Sequence, residues 1–217
     1  MRRVSAVLFD LDGVLVESRE ATERVWLAWA SRNGIDEDAL RSAMHGVRSG
    51  DVVRALRPDL DAVAEAGDIE RAQAEDVAGL AAIPGAVLAL RALRGDRVAV
   101  VTSGTRALAL ARLGAVGIEP PPVVVFADDV VRGKPDPEGY LTAARRLGVD
   151  PVEALVVEDA PPGIEAAKAA GMAAVALPST HAREELGRAD VVLDSLEALP
   201  ELLRTRFDAG SVLEQQH

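Results

Sequence analysis

Apolar residues in this chain fall into short continuous runs separated by longer amphipathic stretches. The runs at 4–9 and 97–102 are typical of strands that are buried on both faces of a parallel sheet. Further strands are predicted near 123–126, 154–158, 173–177 and 190–193, and helices near 86–94, 106–115, 137–148, 162–170 and 182–187. Strands that alternate with helices of this length require parallel pairing through crossover connections, so the pattern predicts a doubly wound α/β fold.

The stretch from Gly13 to about Ala82 departs from this alternation, because its apolar residues recur at three- and four-residue spacings. We interpret residues 16–82 as a helical cap domain that is inserted into a core domain formed by residues 1–15 and 83–217. Trp26 and Trp29 are three residues apart, so they share one helix face and are expected to pack within the cap. The polar residues 204–217 are expected to form a frayed tail.

Composition narrows the possible functions. The chain has 217 residues and a net charge of −11, which argues against a general attraction to nucleic acid or to an anionic membrane. It contains no cysteine, so disulfides, thiol catalysis and thiolate metal sites are excluded. No apolar stretch approaches the roughly 20 residues that span a bilayer, and we expect a cytoplasmic protein.

Two carboxylates directly follow the first predicted strand. Asp10 and Asp12 are separated by one residue and are followed by Gly13. Alternate side chains of a strand share a face, and ligands of open parallel sheets bind beyond the carboxyl ends of the strands. Since Asp and Gly also form ordinary solvated turns, this motif by itself leaves a functional and a purely structural interpretation open.

Three further segments carry candidate chemistry. Thr102, Ser103 and Gly104 follow the second predicted strand, where hydroxyls and amides can hold an anion or simply cap a helix. Lys134 lies between Gly133 and a proline that stiffens the backbone, although a single surface lysine is most often only solvated. Glu158-Asp159 closes the run at 154–158, where adjacent acids can equally form an acidic loop.

Taken together and in this order, the segments resemble the haloacid dehalogenase superfamily of phosphotransferases. The resemblance extends over nearly the whole chain and rests on FDLDG at 9–13, VVTSGT at 100–105, GKPDP at 133–137 and VEDAPPGIEAAKAAG at 157–171. HGVRSGD at 45–51 is similar to a subgroup with a helical cap that acts on glycerol phosphate, deoxyglucose phosphate and related sugar or polyol phosphates.

The resemblance implies a role for each catalytic residue. Asp10 would be the nucleophile that forms an aspartyl-phosphate, and Asp12 the general acid and base. Lys134 would tie the nucleophile to the phosphate, while the amides and hydroxyls of Thr102 and Ser103, with Gly104, would cradle the phosphoryl group.

The resemblance also implies a magnesium site. Its ligands would be the side chains of Asp10 and Asp159 and the backbone carbonyl of Asp12, with Glu158 ligating directly or orienting a metal-bound water. Mg²⁺ prefers oxygen ligands and keeps several waters, so one or two carboxylates are sufficient.

The expected activity is Mg²⁺-dependent hydrolysis of a small sugar or polyol phosphate, with His45 and Arg48 of the cap selecting the substrate. An alternative is a phosphosugar mutase similar to β-phosphoglucomutase. That subgroup has a histidine ten positions after its second aspartate, where this chain has Thr22, so hydrolysis is favoured. A third alternative is a non-catalytic binding relative. The expected partner is a small phosphorylated metabolite, and the chain is expected to be a monomer or a weak dimer.

Overall fold

A parallel six-stranded sheet forms the centre of the computed structural model, which describes residues 2–44 and 46–214. The described residues form the following strands, six of which belong to this sheet: β1 (Arg2–Arg3), β2 (Ala6–Phe9), β3 (Val16–Glu17), β4 (Ala81–Ala82), β5 (Val98–Val101), β6 (Val123–Val125), β7 (Ala154–Glu158), β8 (Ala173–Ala176), β9 (Val191–Val192) and β10 (Phe207–Asp208). The sheet has the order β6-β5-β2-β7-β8-β9. Because the order reverses direction at β2, the sheet is doubly wound, and the predicted α/β fold is confirmed.

Helices cover both faces of this sheet. The described α-helices are α1 (Arg19–Asn33), α2 (Glu37–Ala43), α3 (Ser49–Leu56), α4 (Ala62–Glu75), α5 (Ala86–Arg91), α6 (Arg106–Ala115), α7 (Glu138–Leu147), α8 (Pro161–Ala169) and α9 (Leu199–Arg206). Along β2, Val7 and Phe9 pack on one face with α5, α6 and α9, whereas Leu8 packs on the other face with α7 and α8. This two-sided burial explains why the strands are continuously apolar.

Helices α1 to α4 form a separate small unit, called the cap below. Its apolar core is centred on Trp29 and Leu40, and Trp26 meets Trp29 edge to face with 5.4 Å between ring centroids. Asp36 and Asp61 begin α2 and α4 by accepting hydrogen bonds from backbone amides of the first turn.

Two short strands lie where the chain enters and leaves the cap. The sequence predicts only helices in this insertion, but β3 and β4 pair in antiparallel fashion, with Val16 opposite Ala82 and Glu17 opposite Ala81. The two segments run side by side, so each satisfies backbone groups of the other. The exact domain boundaries at residues 16 and 82 stay a prediction.

The expectation of a frayed tail at 204–217 is wrong for residues 204–214. Helix α9 extends to Arg206, and β10 then pairs in parallel with β1. Phe207, Ala209 and Val212 are buried against the main core. These few apolar side chains are separated by polar residues, so a prediction from the composition of the segment does not detect that they are buried. Residues 215–217 lie outside the described part of the chain.

One local prediction also differs, since residues 183–186 form a 3₁₀ turn rather than the predicted α-helix. Among the described residues, no helix has the length and apolar character that a membrane crossing requires.

Candidate active site

The predicted chemical residues meet at one edge of the sheet. Asp10 follows β2, Thr102 follows β5, and Glu158 ends β7, which is directly followed by Asp159. Because β2 lies between β5 and β7, these strand ends are neighbours in space. They open onto a cleft of about 100 Å³ between the sheet and the cap, and the lining includes Asp10, Asp12, Asp159 and the segment 102–104.

Lys134 joins two of the acids. Its ammonium donates hydrogen bonds to Asp10 Oδ1 and, at 2.7 Å, to Glu158 Oε1. All three side chains are buried, and Lys134 also contacts the Val101 carbonyl at 3.3 Å. A buried cation needs such partners, because an unpaired charge in the interior is costly. The structure therefore fixes the lysine between the predicted nucleophile and β7.

Glu158 has all of its acceptor positions in use. Besides Lys134, the Tyr140 hydroxyl donates to Oε1 at 2.9 Å, and the amides of Asp159 and Ala160 donate to Oε2 at 2.9 and 3.0 Å. Burial opposes ionisation of this group, but Lys134 and these hydrogen bonds hold the pKa of Glu158 below its ordinary value. A Cβ at Gly163 would lie 1.6 Å from Oε1, so only glycine fits beside this carboxylate.

Asp10 and Asp159 have the opposite electrostatic character. Burial raises the pKa of Asp10 to about 7, against the lowering effect of Lys134, and Glu158 and Asp12 add to the rise. Burial and the neighbouring charge of Glu158 raise the pKa of Asp159 well above its usual range. The cluster is therefore short of positive charge, which is the environment that a bound cation would relieve.

The three acids are arranged as a possible metal site. Asp10, Glu158 and Asp159 each offer one carboxylate oxygen, and these oxygens lie within 4.8 Å of one another. An all-oxygen donor set of this charge fits Mg²⁺. Thr180 donates a hydrogen bond to Asp159 Oδ2 and so helps to orient this carboxylate. The Asp12 carboxylate is not part of the cluster, and this is compatible with the predicted role of its backbone carbonyl.

The segment after β5 matches its prediction only partly. The amide of Thr102 donates to the Val125 carbonyl at 3.0 Å, because the pairing of β5 with β6 continues for one more residue. The expectation that this amide faces an anion is therefore wrong. The Thr102 hydroxyl accepts from the Gly104 amide at 3.0 Å, and the Ser103 hydroxyl donates to the Gly46 carbonyl of the cap at 3.2 Å.

Comparison with known proteins identifies the chain. The family profile of the haloacid dehalogenase-like hydrolases matches residues 4–171. The chain belongs to this family. It is 39% identical to hexitol phosphatase A of Escherichia coli K12 over 98% of this chain and 100% of that protein. It is also 40% identical to validoxylamine A 7'-phosphate phosphatase of Streptomyces hygroscopicus, over 87% of this chain and 92% of the other.

Solved structures agree with this assignment. A hydrolase from Pseudomonas syringae superposes with a TM-score of 0.83 at 27% identity, covering 93% of this chain and 99% of that one. CbbY from Rhodobacter sphaeroides, in complex with phosphate, gives a TM-score of 0.75 at 27% identity, covering 90% and 96%. The predicted resemblance to the haloacid dehalogenase family is confirmed, and so is the prediction of an enzyme of the phosphomonoesterase type.

The sequence reasoning missed a buried arginine of this hydrolase. Arg112, on α6, lies 2.5 Å from Asp12 Oδ1, to which Ser18 also donates at 2.7 Å. Arg112 stands four positions after Leu108 on the buried face of its helix. A charged residue at an apolar position of an amphipathic helix is the signal that could have revealed it.

Of the two predicted specificity residues of the cap, only Arg48 is described, and it does not line this cleft. His45 lies outside the described residues. Arg48 pairs with Asp51 at 2.9 Å and donates to the Val131 carbonyl at 2.9 Å, beside Gly133 of the core. The cap side chains that line the cleft with Asp10 are instead those of Ser18, Arg19, Thr22, Trp26, Met44, Val47, Ser49 and Gln73.

Proposed function

We propose that this hydrolase cleaves a small sugar or polyol phosphate in a Mg²⁺-dependent reaction that passes through an aspartyl-phosphate at Asp10. The observation that carries the proposal is the placement of Asp10 and Asp12 in one cleft, with Lys134 on the first and Arg112 on the second. The names of the relatives, which include 2-deoxyglucose-6-phosphate and glycerol-1-phosphate phosphatases of Saccharomyces cerevisiae at 34% and 35% identity, support this substrate class.

The nucleophile is a positioned carboxylate. An Asp10 oxygen attacks phosphorus, the bond from phosphorus to the alcohol oxygen breaks, and water later attacks phosphorus to release inorganic phosphate and free Asp10. A carboxylate is a weak nucleophile, so the reaction depends on orientation and on neutralised phosphoryl charge. Lys134 supplies orientation, because it holds one Asp10 oxygen within the buried cluster.

Asp12 handles the protons. Ser18 and Arg112 both contact Oδ1, so Oδ2 has no partner among the described residues. We assign to Oδ2 the proton that is given to the departing alkoxide and later taken back from water. General acid and base catalysis of this kind contributes about 10²- to 10⁴-fold in rate.

Magnesium fits the acid cluster. Asp10 and Asp159 would hold it directly, with the Asp12 backbone carbonyl. Glu158 would contribute its negative charge beside the ion, since all of its acceptor positions are in use. When bound, the ion supplies positive charge that stabilises the phosphoryl oxygens.

Thr22 supports hydrolysis rather than phosphosugar mutation. Its hydroxyl accepts a hydrogen bond from Arg112 at 2.8 Å and is no acid or base near neutral pH. The partner, a small phosphorylated metabolite, the cytoplasmic location and the monomeric or weakly dimeric state stay predictions.

The proposal is tested by phosphate release from sugar, polyol, nucleotide and amino-acid phosphates, with Mg²⁺ and with excess EDTA. We expect turnover of sugar or polyol phosphates only with Mg²⁺, none for Asp10→Asn, and wild-type rates for the control Asp68→Asn, whose side chain is exposed on α4. Full turnover in EDTA would exclude the metal, and turnover by Asp10→Asn would exclude the nucleophile.

A further inference from the structure

Beside Asp12, an arginine of the core meets two side chains of the cap. Arg112 donates to Gln73 Oε1 at 2.6 Å and to Thr22 Oγ1 at 2.8 Å. Arg112 and Gln73 are each 4% exposed, and all of these residues line the cleft that contains Asp10. The network is therefore buried, polar and shared between the two parts of the molecule.

This network has hydrogen-bonding capacity left over. Arg112 Nε is buried and has no partner among the described residues, and the Gln73 amide nitrogen makes no hydrogen bond to any of them. Buried donors without partners cost free energy, so such groups usually have a ligand or water to bind. Arg112 and Gln73 both line the cleft, which favours a ligand there.

The position of Asp12 fixes what that ligand is. If Asp12 protonates the leaving oxygen, this oxygen lies within hydrogen-bond distance of its carboxylate. The carbon chain attached to the oxygen then begins beside Arg112, which contacts Asp12 and donates to Thr22 and Gln73. Trp26, Met44 and Leu108 line the same cleft with apolar surface. A cleft that is lined by both polar and apolar side chains matches a carbon chain that carries hydroxyl groups.

We propose that Arg112, Gln73 and Thr22 bind the hydroxyl groups of the leaving alcohol and thereby select polyhydroxylated alcohol phosphates over plain alkyl phosphates. The proposal rests on the proposed function and assigns the selectivity to residues that differ from His45 and Arg48. Thr22 and Gln73 come from the cap and Arg112 from the core, so the complete subsite exists only when the cap is seated on the sheet.

A pair of substrates that differ in their hydroxyl groups tests this proposal. Glucitol 6-phosphate and n-hexyl phosphate have six carbons and release a primary alkoxide, so they make the same demand on Asp12. We expect Thr22→Val and Gln73→Met each to lower kcat/KM for glucitol 6-phosphate about tenfold, chiefly through KM, which corresponds to one lost hydrogen bond. The kcat/KM for n-hexyl phosphate should stay within about threefold of wild type.

Control variants separate recognition from folding. Thr22→Ser keeps the hydroxyl, so it should keep the preference for glucitol 6-phosphate that Thr22→Val loses. Thr205→Val removes an exposed hydroxyl on α9 and should leave kcat/KM unchanged for both substrates. Equal losses on both substrates would overturn the proposal in favour of a structural role for the network. Unchanged kinetics on both would overturn it as well.

Binding without turnover gives an independent measurement. In an Asp10→Asn background, Thr22→Val should weaken glucitol 6-phosphate binding about tenfold in calorimetry and leave inorganic phosphate binding unchanged. If the wild-type enzyme releases phosphate from no ester, the proposed function fails, and this comparison still decides whether the network binds hydroxyl groups. Equal affinities of the single and double variants for glucitol 6-phosphate would refute that role.

Discussion

Lys134 determines the electrostatics of the site, because one ammonium group is shared by Asp10 and Glu158. Glu158 takes the larger benefit, since backbone amides and Tyr140 also stabilise its charge. Asp10 therefore carries an incompletely compensated charge in a buried position. Burial of this charge is the main cause of the raised pKa of Asp10, and the neighbouring charge of Glu158 adds to the rise.

The raised pKa of Asp10 predicts how stability depends on pH. The folded-state pKa of about 7 exceeds the ordinary value of 3.8, so the folded protein binds the proton more tightly than the unfolded chain. The stabilisation is complete below about pH 4 and is lost as the pH rises through 7. In EDTA, we expect the Tm of the wild type to fall between pH 5 and 8, and that of Asp10→Asn to fall less.

The control is Asp68→Asn, which removes an exposed carboxylate. Between pH 5 and 8, its Tm should fall as much as that of the wild type. Parallel curves for Asp10→Asn and the wild type would show that the ionisation of Asp10 has no energetic cost in the fold.

The sequence predicts some of the site residues and misses others for a definite reason. Asp10, Lys134 and Asp159 belong to short motifs next to strand ends, where parallel topology brings distant segments together. Arg112 and Gln73 belong to no such motif, and they meet only because α4 of the cap packs on α6 of the core. Contacts of this kind depend on packing between helices, which a local pattern does not encode.

At the scale of elements, the final segment is the main departure from expectation. Strand β10 holds only two residues, yet it pairs with β1 and leads into a turn whose Val212 is fully buried. A strand this short has no periodicity to detect. Its stability comes from tertiary packing, and this makes the segment testable by single substitutions.

Phe207→Ala should lower the free energy of unfolding by about 3 kcal/mol, since a large buried side chain is lost and a cavity remains. Phe207 is 8% exposed, whereas Leu88, which is 60% exposed, provides a matched control. Leu88→Ala should cost less than about 0.5 kcal/mol in the same urea titration. Equal, small effects of both substitutions would mean that residues 207–214 add nothing to the folded core.

At the scale of the whole molecule, the cap is held on the core by polar contacts around the cleft. Ser103 binds the Gly46 carbonyl, Glu70 accepts from the Thr105 amide at 3.1 Å, and Arg48 binds the Val131 carbonyl. The cleft volume of about 100 Å³ is below the range of typical ligand pockets, about 300 to 1,000 Å³. We therefore expect the cap to open to admit a substrate with a long carbon chain and then to close again on it.

Arg48 allows this motion to be tested. Because Arg48 joins the cap to the core outside the cleft, Arg48→Ala should lower kcat/KM for glucitol 6-phosphate and n-hexyl phosphate by the same factor, about three- to tenfold, as expected for one lost hydrogen bond. Arg54, which shares Asp51 with Arg48, is 57% exposed, and Arg54→Ala should leave both values unchanged. A selective loss on glucitol 6-phosphate would return Arg48 to the role of a specificity residue.

The central position of β2 also has a consequence for how the protein is made. Val7 pairs with Val98 and Leu155, which follow it by about 90 and 150 positions. On the ribosome, this apolar strand is therefore synthesised long before either of its neighbours, whereas the helices of the cap have all their mutual partners much earlier. The cap can thus fold during translation while β2 is still unpaired. The sheet is completed only after the last third of the chain has been synthesised.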